Sequence, residues 1–422
     1  MKTSCAFVKA IPIEKFLSAK EKLKNVAGPT PLQKNEFLSK KFGANIYLKR
    51  EDLQVVRSFK IRGAFNKIVS LGDEAKNRSV VCASAGNHAQ GVAYTCALLG
   101  IHGTIFMPLP TPNQKVEQVR WFGKEFIDVR LAKDTFDDCC ESALGFARQS
   151  GSIFIHPFDD EEVIAGQGTA ALEMLEQLSS GIDYIFMPIG GGGLASGVAS
   201  VFEERSPETK LIGVEPEGAA SMKRSFDMGK IVALDTVDRF ADGAAVKRAG
   251  ELTFSLCKKL LNEIAVVPEG KICTTILELY NRNAIIAEPA GALPVAALDF
   301  FKEKIKGKNV VCVISGGNND IGRMEEIKER SLVYEGIKHH FLVSFPQRAG
   351  ALKEFVNSVL GEGDDITRFE FLKKNNREKG PALIGIELQN KESLNDLKKR
   401  MQHFGFSHTY VRPGSDLFGF LL

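Results

Sequence analysis

Four short segments carry residues whose types and spacing can do chemistry. The first is Val56-Arg57-Ser58-Phe59-Lys60-Ile61-Arg62-Gly63-Ala64. A lysine is ordinarily a solvated surface residue, but Lys60 lies between Phe59 and Ile61 and close to Arg57 and Arg62. An amine in a partly apolar, cation-rich setting loses its proton more readily and can attack an aldehyde. The second is Gly190-Gly191-Gly192-Gly193-Leu194-Ala195-Ser196-Gly197, between a predicted strand and a predicted helix. Glycines place no Cβ in front of their N–H groups, and a helix start adds partial positive charge, so the turn suits a phosphate. It is no Walker loop, because no Lys-Ser/Thr pair follows. The third is Ser84-Ala85-Gly86-Asn87-His88-Ala89-Gln90-Gly91, whose small residues at a helix start suit a carboxylate. His88 on its own reads as a structural histidine. The fourth, Ser315-Gly316-Gly317-Asn318-Asn319-Asp320, puts a hydroxyl directly after a predicted strand.

The glycine turn admits a rival. Gly190-x-Gly192-x-x-Ala195 satisfies the dinucleotide fingerprint, and Glu215 ends the next predicted strand, where a Rossmann fold binds a ribose. On those features alone NAD stays open, as does a tight turn with no ligand. Taken with the other segments, a reactive lysine, a phosphate cradle and a strand-end hydroxyl fit pyridoxal 5′-phosphate better.

All four segments need strand ends to hold them. Short β-branched runs supply these at Asn45–Lys49, Val80–Ser84, Thr104–Met107, Phe126–Leu131, Ile153–His156, Tyr184–Ile189, Leu211–Glu215 and Val310–Ser315. Helical patterns lie between them, one opened by Thr111 as N-cap with Pro112 at the first helical position, another by Asp134–Asp137. Runs that are apolar throughout suit a parallel sheet covered on both faces, hence an α/β fold. There are more strands than one compact sheet needs, which predicts two lobes with ligands at the C-terminal strand ends. Beyond Gly322 the pattern changes. Met324–Glu335 reads as a charged helix. Strands His340–Phe345, Ile366–Phe371, Ala382–Leu388 and Ser407–Val411 then alternate with helices Gly350–Leu360 and Leu394–Phe404. That order is β-α-β-β-α-β, a ferredoxin-like unit, with a boundary near Ser331–Lys338.

Composition narrows the class. The chain has 422 residues, 44% hydrophobic and 25% charged, with 55 basic against 52 acidic side chains. Length predicts two or three domains, and the mix argues against disorder. The near-balanced charge, without a basic patch, argues against nucleic-acid or membrane-surface binding. Glycine, at 39 residues, exceeds its usual ~7% while proline does not exceed its own share, which points to special turns in a folded chain. The eight cysteines, Cys5 among them, show no zinc spacing and read as buried free thiols of a reducing cytosol. The segment Met1–Lys9 has no signal-peptide character, and no run approaches a spanning helix, so a cytoplasmic protein is expected.

The four segments, in this order, resemble the fold-type-II (tryptophan synthase β-like) pyridoxal-phosphate enzymes, and within them the threonine dehydratases. Ser58–Gly63 is similar to their Schiff-base lysine motif, Ser84–Gly91 to their substrate-carboxylate loop, Gly190–Leu194 to their phosphate loop and Ser315–Asn318 to their pyridine-nitrogen segment. Gly28–Leu32, Leu48–Asp52 and Ala287–Ala292 also resemble family segments, though the last leaves Glu288 without a role. The resemblance implies that Lys60 carries the cofactor and acts as general base, and that Asn87 bonds the ring hydroxyl. It implies that Gly190, Gly191, Gly192, Gly193 and Leu194 hold the phosphate, that Ser315 faces the pyridine nitrogen, and that Ser84 and Gly86 hold the substrate carboxylate. The expected reaction converts L-threonine to 2-oxobutanoate and ammonia, with L-serine a slower substrate. The tail resembles an ACT-like regulatory domain, in which the turn Pro346–Leu352 would bind an amino acid. That favours the biosynthetic type, with isoleucine as feedback effector and valine as antagonist, over a catabolic L-serine/L-threonine dehydratase. The expected extents are 1–330 for a two-lobed catalytic domain and 339–413 for the regulatory domain, in a homotetramer. An NAD-dependent oxidoreductase, or an amino-acid sensor that has lost catalysis, are the competing readings. Phe404-Gly405-Phe406 and Phe418-Gly419-Phe420 read as either core or interface.

Overall fold

The apolar runs form strands buried on both faces, as parallel pairing under helices requires. The structure, a computed structural model, describes residues 10–371, 373 and 378–419. Met1–Lys9, with Cys5, and Phe420 lie outside the described residues. The chain divides into two compact units, one of 10–269 with Leu279–Asn319, the other of Gly270–Glu278 with 320–419.

The first unit holds ten strands: β1 Leu32–Lys34, β2 Asn45–Arg50, β3 Val80–Ala83, β4 Gly103–Met107, β5 Ile127–Leu131, β6 Ile153–Phe154, β7 Tyr184–Pro188, β8 Lys210–Pro216, β9 Glu263–Val267 and β10 Asn309–Ile314. They make two sheets, hence two lobes. The larger has the order β1-β2-β10-β7-β8-β9 and is parallel except for β1; the smaller, β5-β4-β3-β6, is parallel throughout. β1 and β9 escaped the sequence reading. β1 is only three residues of mixed polarity, and β9 carries Glu263 at its start. The predicted strand Ile153–His156 stops at Phe154, because the His156 ring accepts backbone N–H groups of the following turn. Pro112 is the N-cap of the helix Asn113–Gly123, not its first residue; the Thr111 hydroxyl donates to the Pro108 carbonyl instead of capping. Thr135 does cap its helix, accepting from Asp138 N. Among the described residues the cysteines are free, and all but Cys140 are buried.

Two devices fix the helix Lys60–Ser70, which begins at the proposed reactive lysine. One is steric. A Cβ on Gly63 would lie 2.7 Å from the Val163 carbonyl oxygen, and one on Gly166 would lie 2.5 Å from that of Arg62. The helix therefore meets Glu161–Gln177 backbone to backbone. The other device is a buried ion cluster. The Arg62 guanidinium donates to both oxygens of Glu51, at 2.8 Å each, and to both of Glu173, at 2.6 and 2.9 Å. Lys49 also donates to Glu173, Thr30 Oγ1 donates to Glu51 at 2.6 Å, and Thr169 Oγ1 accepts from Arg62 at 3.0 Å. All four charged groups are almost wholly buried. Two cations balance two anions, so the cluster carries no net charge into the core. Burial pushes the Glu51 carboxyl up, but Arg62 outweighs it and holds the pKa below the usual value.

The second unit contains β11 Lys338–Pro346, β12 Asp365–Phe371, β13 Lys379–Glu387 and β14 His408–Val411, antiparallel in the order β12-β13-β11-β14. Helices Ala351–Val359 and Leu394–His403 complete the ferredoxin-like β-α-β-β-α-β order. Phe341, Phe345, Phe355 and Ile384 pack with Leu397, Met401 and Phe406 in its core. Phe406 is thus core, whereas Phe404 is exposed. Among the described residues no helix is long and apolar enough to cross a membrane.

Replacing Arg62 with methionine strands two buried carboxylates. It is expected to cost about 3–5 kcal/mol, read by urea unfolding of the full chain. A loss under about 1 kcal/mol, the worth of a surface pair, would show that the cluster does not secure this helix.

Candidate active site

Lys60 is delivered by a loop stitched to the end of β10. Ser58 and Gly316 form an isolated antiparallel bridge, Phe59 N donates to the Ser315 carbonyl at 3.0 Å, and Gly317 N donates to that of Arg57 at 2.9 Å. Arg57 holds a left-handed φ of 56°, rare for a residue with a Cβ, at the point where the loop turns into the helix. The Lys60 Nζ donates to the Pro157 carbonyl at 2.9 Å and stands 5.3 Å from the centre of the Phe59 ring. Burial lowers its pKa to about 8, with Glu288 pulling the other way. The neighbouring arginines are not the cause. The Arg62 charge is spent in the ion cluster, and Arg57 is exposed. The amine is activated by desolvation: of the partly apolar, cation-rich setting that the sequence suggested, the apolar part acts and the cations do not.

Ser84 follows β3, and its Oγ accepts from Gly86 N at 3.2 Å; Gly86 caps the helix Asn87–Leu99 and has open space where a Cβ would stand. Asn87 meets the N-cap of the helix Pro289–Ala296 and the loop that follows β10. Its Nδ2 donates to Glu288 Oε1 at 2.7 Å, and its Oδ1 accepts from Asn318 Nδ2 at 2.6 Å. His88 is fully buried against the Ile155 carbonyl, 3.0 Å away, and desolvation drops its pKa to about 3, so it is neutral and structural. Ser315 is buried at the end of β10.

The glycine turn leaves β7 and enters the helix Gly193–Arg205 through Gly192, whose φ of 92° favours glycine. A Cβ on Gly191 would fall 2.2 Å from the Phe158 ring. The Gly191 carbonyl accepts from Thr253 Oγ1 at 2.6 Å, which pins the turn from behind. The first N–H groups of any helix lack intrahelical partners, so this start can take an anion. Leu194 is buried and can serve a ligand only through its backbone. A desolvated amine, a Cβ-free helix start and a buried serine together fit pyridoxal phosphate. Glu215, the residue on which NAD depended, is fully buried with its oxygens taken by Met222 N at 2.9 Å and Lys223 N at 2.6 Å. It has no lone pair presented to a ribose.

Two elements of the site escaped the sequence reading. His156-Pro157-Phe158-Asp159 links the lysine to the glycine turn. Pro157 accepts from Lys60, Phe158 packs on the glycine turn, and Asp159 takes the N–H groups of Glu251, Leu252 and Thr253 at 2.9–3.0 Å. Its available signal was the proline-aspartate turn chemistry after a predicted strand. The other is the role of Glu288, a residue that the sequence singled out without assigning; it is the N-cap residue of the helix Pro289–Ala296. Burial, with Asp242 adding to it, raises its pKa to about 7.

A two-sheet α/β unit with a desolvated lysine and a Cβ-free glycine turn at a helix start defines a fold-type-II pyridoxal-phosphate enzyme. The chain belongs to the pyridoxal-phosphate dependent enzyme family, which matches residues 23–316, and the C-terminal regulatory domain of threonine dehydratase matches residues 329–421. The chain is 57% identical to the biosynthetic L-threonine dehydratases of Halalkalibacterium halodurans and Bacillus subtilis, each over 98% of this chain and at least 98% of the relative. Among solved structures, the processed form of threonine deaminase isoform 2 from Solanum lycopersicum aligns with TM-score 0.72 and 41% identity over 76% of this chain and 93% of that one. Maize serine racemase aligns with TM-score 0.71 and 31% identity over 77% and 99%.

A lysine lowered to about 8 is mostly neutral above that pH. In the cofactor-free protein, reductive alkylation of Lys60 is therefore expected to rise with pH and reach half its plateau near pH 8, as peptide mapping would read. A midpoint near the ordinary lysine value of about 10.4 would show that burial does not activate the amine.

Proposed function

We propose that this protein catalyses the dehydration and deamination of L-threonine to 2-oxobutanoate and ammonia, as a biosynthetic threonine dehydratase under isoleucine feedback. The observation that carries the reading is the Lys60 amine, desolvated and held by the Pro157 carbonyl on a loop bonded to Ser315. The full-length likeness to biosynthetic L-threonine dehydratases, tail included, supports the substrate and the feedback.

Pyridoxal phosphate, when bound, supplies an electron sink conjugated to the substrate Cα. Lys60 would anchor it through Nζ, and the same nitrogen would serve the substrate Cα as general base. The backbone N–H groups of Gly190, Gly191, Gly192, Gly193 and Leu194 would hold the phosphate. Asn87 would donate to the ring oxygen. Ser315, buried at the end of β10, would offer the ring nitrogen a neutral hydroxyl, which does not enforce protonation there and so favours loss of the β-hydroxyl. Ser84 and the backbone at Gly86, where a Cβ would find open space, would take the substrate carboxylate. Glu288, with a pKa raised to about 7, can hold or release a proton near neutral pH. The likeness to a serine racemase favours L-serine as a slower second substrate.

The catalytic part is placed at 1–330 and the ACT-like part at 339–413, the latter supported by the span of β11 to β14. The effector is placed at the turn Pro346–Leu352, where Gly350 takes a left-handed φ of 83° before the helix. The assembly is proposed to be a cytoplasmic homotetramer, with no nucleic-acid or membrane partner.

Lys60→Ala is expected to lower 2-oxobutanoate release by at least about a thousandfold, since it removes both anchor and base. Near-normal turnover by that variant would sink the mechanism. In the same coupled assay isoleucine is expected to suppress the parent enzyme and valine to relieve it. A flat response would remove the feedback while leaving the chemistry.

A further inference from the structure

Asn87 can serve a ring oxygen only with its amide nitrogen turned towards it, yet an asparagine amide fits its site almost equally well turned over. Something must choose. The chain of hydrogen bonds around Asn87 starts from a group that cannot change role. The Val56 carbonyl only accepts, and Asn318 Nδ2 donates to it at 2.9 Å. That contact orients Asn318. Its remaining N–H then faces Asn87 at 2.6 Å, and only Asn87 Oδ1 can answer it. Asn87 Nδ2 is thereby turned to Glu288 Oε1, 2.7 Å away, with one N–H uncommitted among the described residues.

We propose that Asn318 is a positioning residue for the pyridoxal-phosphate site: it reads the Val56 carbonyl and keeps the Asn87 amide nitrogen, rather than its oxygen, available to the cofactor. The inference deepens the proposed function and rests on it. Glu288 cannot replace Asn318 in this role. As a carboxylate it accepts and holds Asn87 Nδ2, but as a carboxylic acid it can donate to Asn87 Oδ1 and so tolerates the turned-over amide. Its pKa is raised to about 7 by burial and by Asp242, with Asn87, Lys115 and the Asn318 backbone N–H pulling down; Lys60 is the other charge that feels it. Orientation by Glu288 alone would therefore fail below neutrality, whereas orientation by Asn318 does not depend on pH.

The experiment measures pyridoxal-phosphate dissociation constants of the parent, Asn318→Ala, Asn87→Ala and the double variant at pH 6 and pH 8, by the visible band of the bound cofactor. Each variant is taken relative to the parent at the same pH, which cancels the titration of Lys60. For Asn318→Ala, binding is expected to weaken about tenfold at pH 6, the worth of roughly one charge-assisted hydrogen bond, and about twofold or less at pH 8. In the Asn87→Ala background the same change should add nothing. An equal loss at both pH values that persists without Asn87 would make Asn318 a purely structural residue and overturn the proposal, as would no loss at all. If Asn318→Ala does not fold, Asn318→Asp keeps the shape without any N–H. It should weaken binding at both pH values, and only while Asn87 is present; a loss that persists without Asn87, or none, overturns the proposal equally. Failure of the parent to bind pyridoxal phosphate would instead overturn the functional reading itself.

Discussion

Arg62 fixes the helix that begins at Lys60. Its guanidinium joins Glu51, which follows β2, to Glu173 in the helix Glu161–Gln177, while Lys49 of β2 and Thr30 close the cluster from the other side. Burying four charges is costly, and such a cluster is tolerable only when the charges cancel and every donor is answered. Here both conditions hold. What the cluster gains is placement, because a helix anchored by a bidentate guanidinium at its third residue cannot slide, and its first residue is Lys60. Gly63 adds a steric lock on the next residue, where backbone meets backbone.

From that anchor the chemistry follows by exclusion of water. Lys60 and Glu288 are displaced towards each other by the same cause. Burial penalises the charged form of each, taking the amine down to about 8 and the carboxyl up to about 7. An acid and a base that would ordinarily be charged near neutrality are left able to exchange protons there. His88 shows the limit of the effect, since it is buried so deeply that it has left the useful range altogether. The segment His156–Asp159 keeps this arrangement closed, touching the lysine, the glycine turn and the helix beginning at Glu251.

The glycine surplus divides between two uses. The turn at Gly190–Gly193 is one, and there the missing Cβ serves both a prospective anion and the Phe158 ring packed on it. The other was invisible along the chain. Gly63 and Gly166 face one another across two helices, and a Cβ on either would strike a carbonyl. Helical periodicity registers such glycines only as weak points, because the neighbour that demands them is about a hundred residues away.

What the chain determined by itself is local chemistry and local shape. Apolar β-branched runs became the parallel strands, the late switch of pattern became the ferredoxin-like unit, and the four motifs lie at or beside strand ends. These follow from side-chain periodicity and turn preferences, which act over a few residues. Tertiary structure decided the rest. It showed that Lys60 is activated by burial and not by Arg57 or Arg62, that Glu215 spends its oxygens on a helix start, and that Glu288 and His156–Asp159 belong to the site. Each of these depends on which distant groups surround a charge or answer a hydrogen bond. Solvation and pairing belong to the folded environment, and no residue carries them in its own sequence neighbourhood.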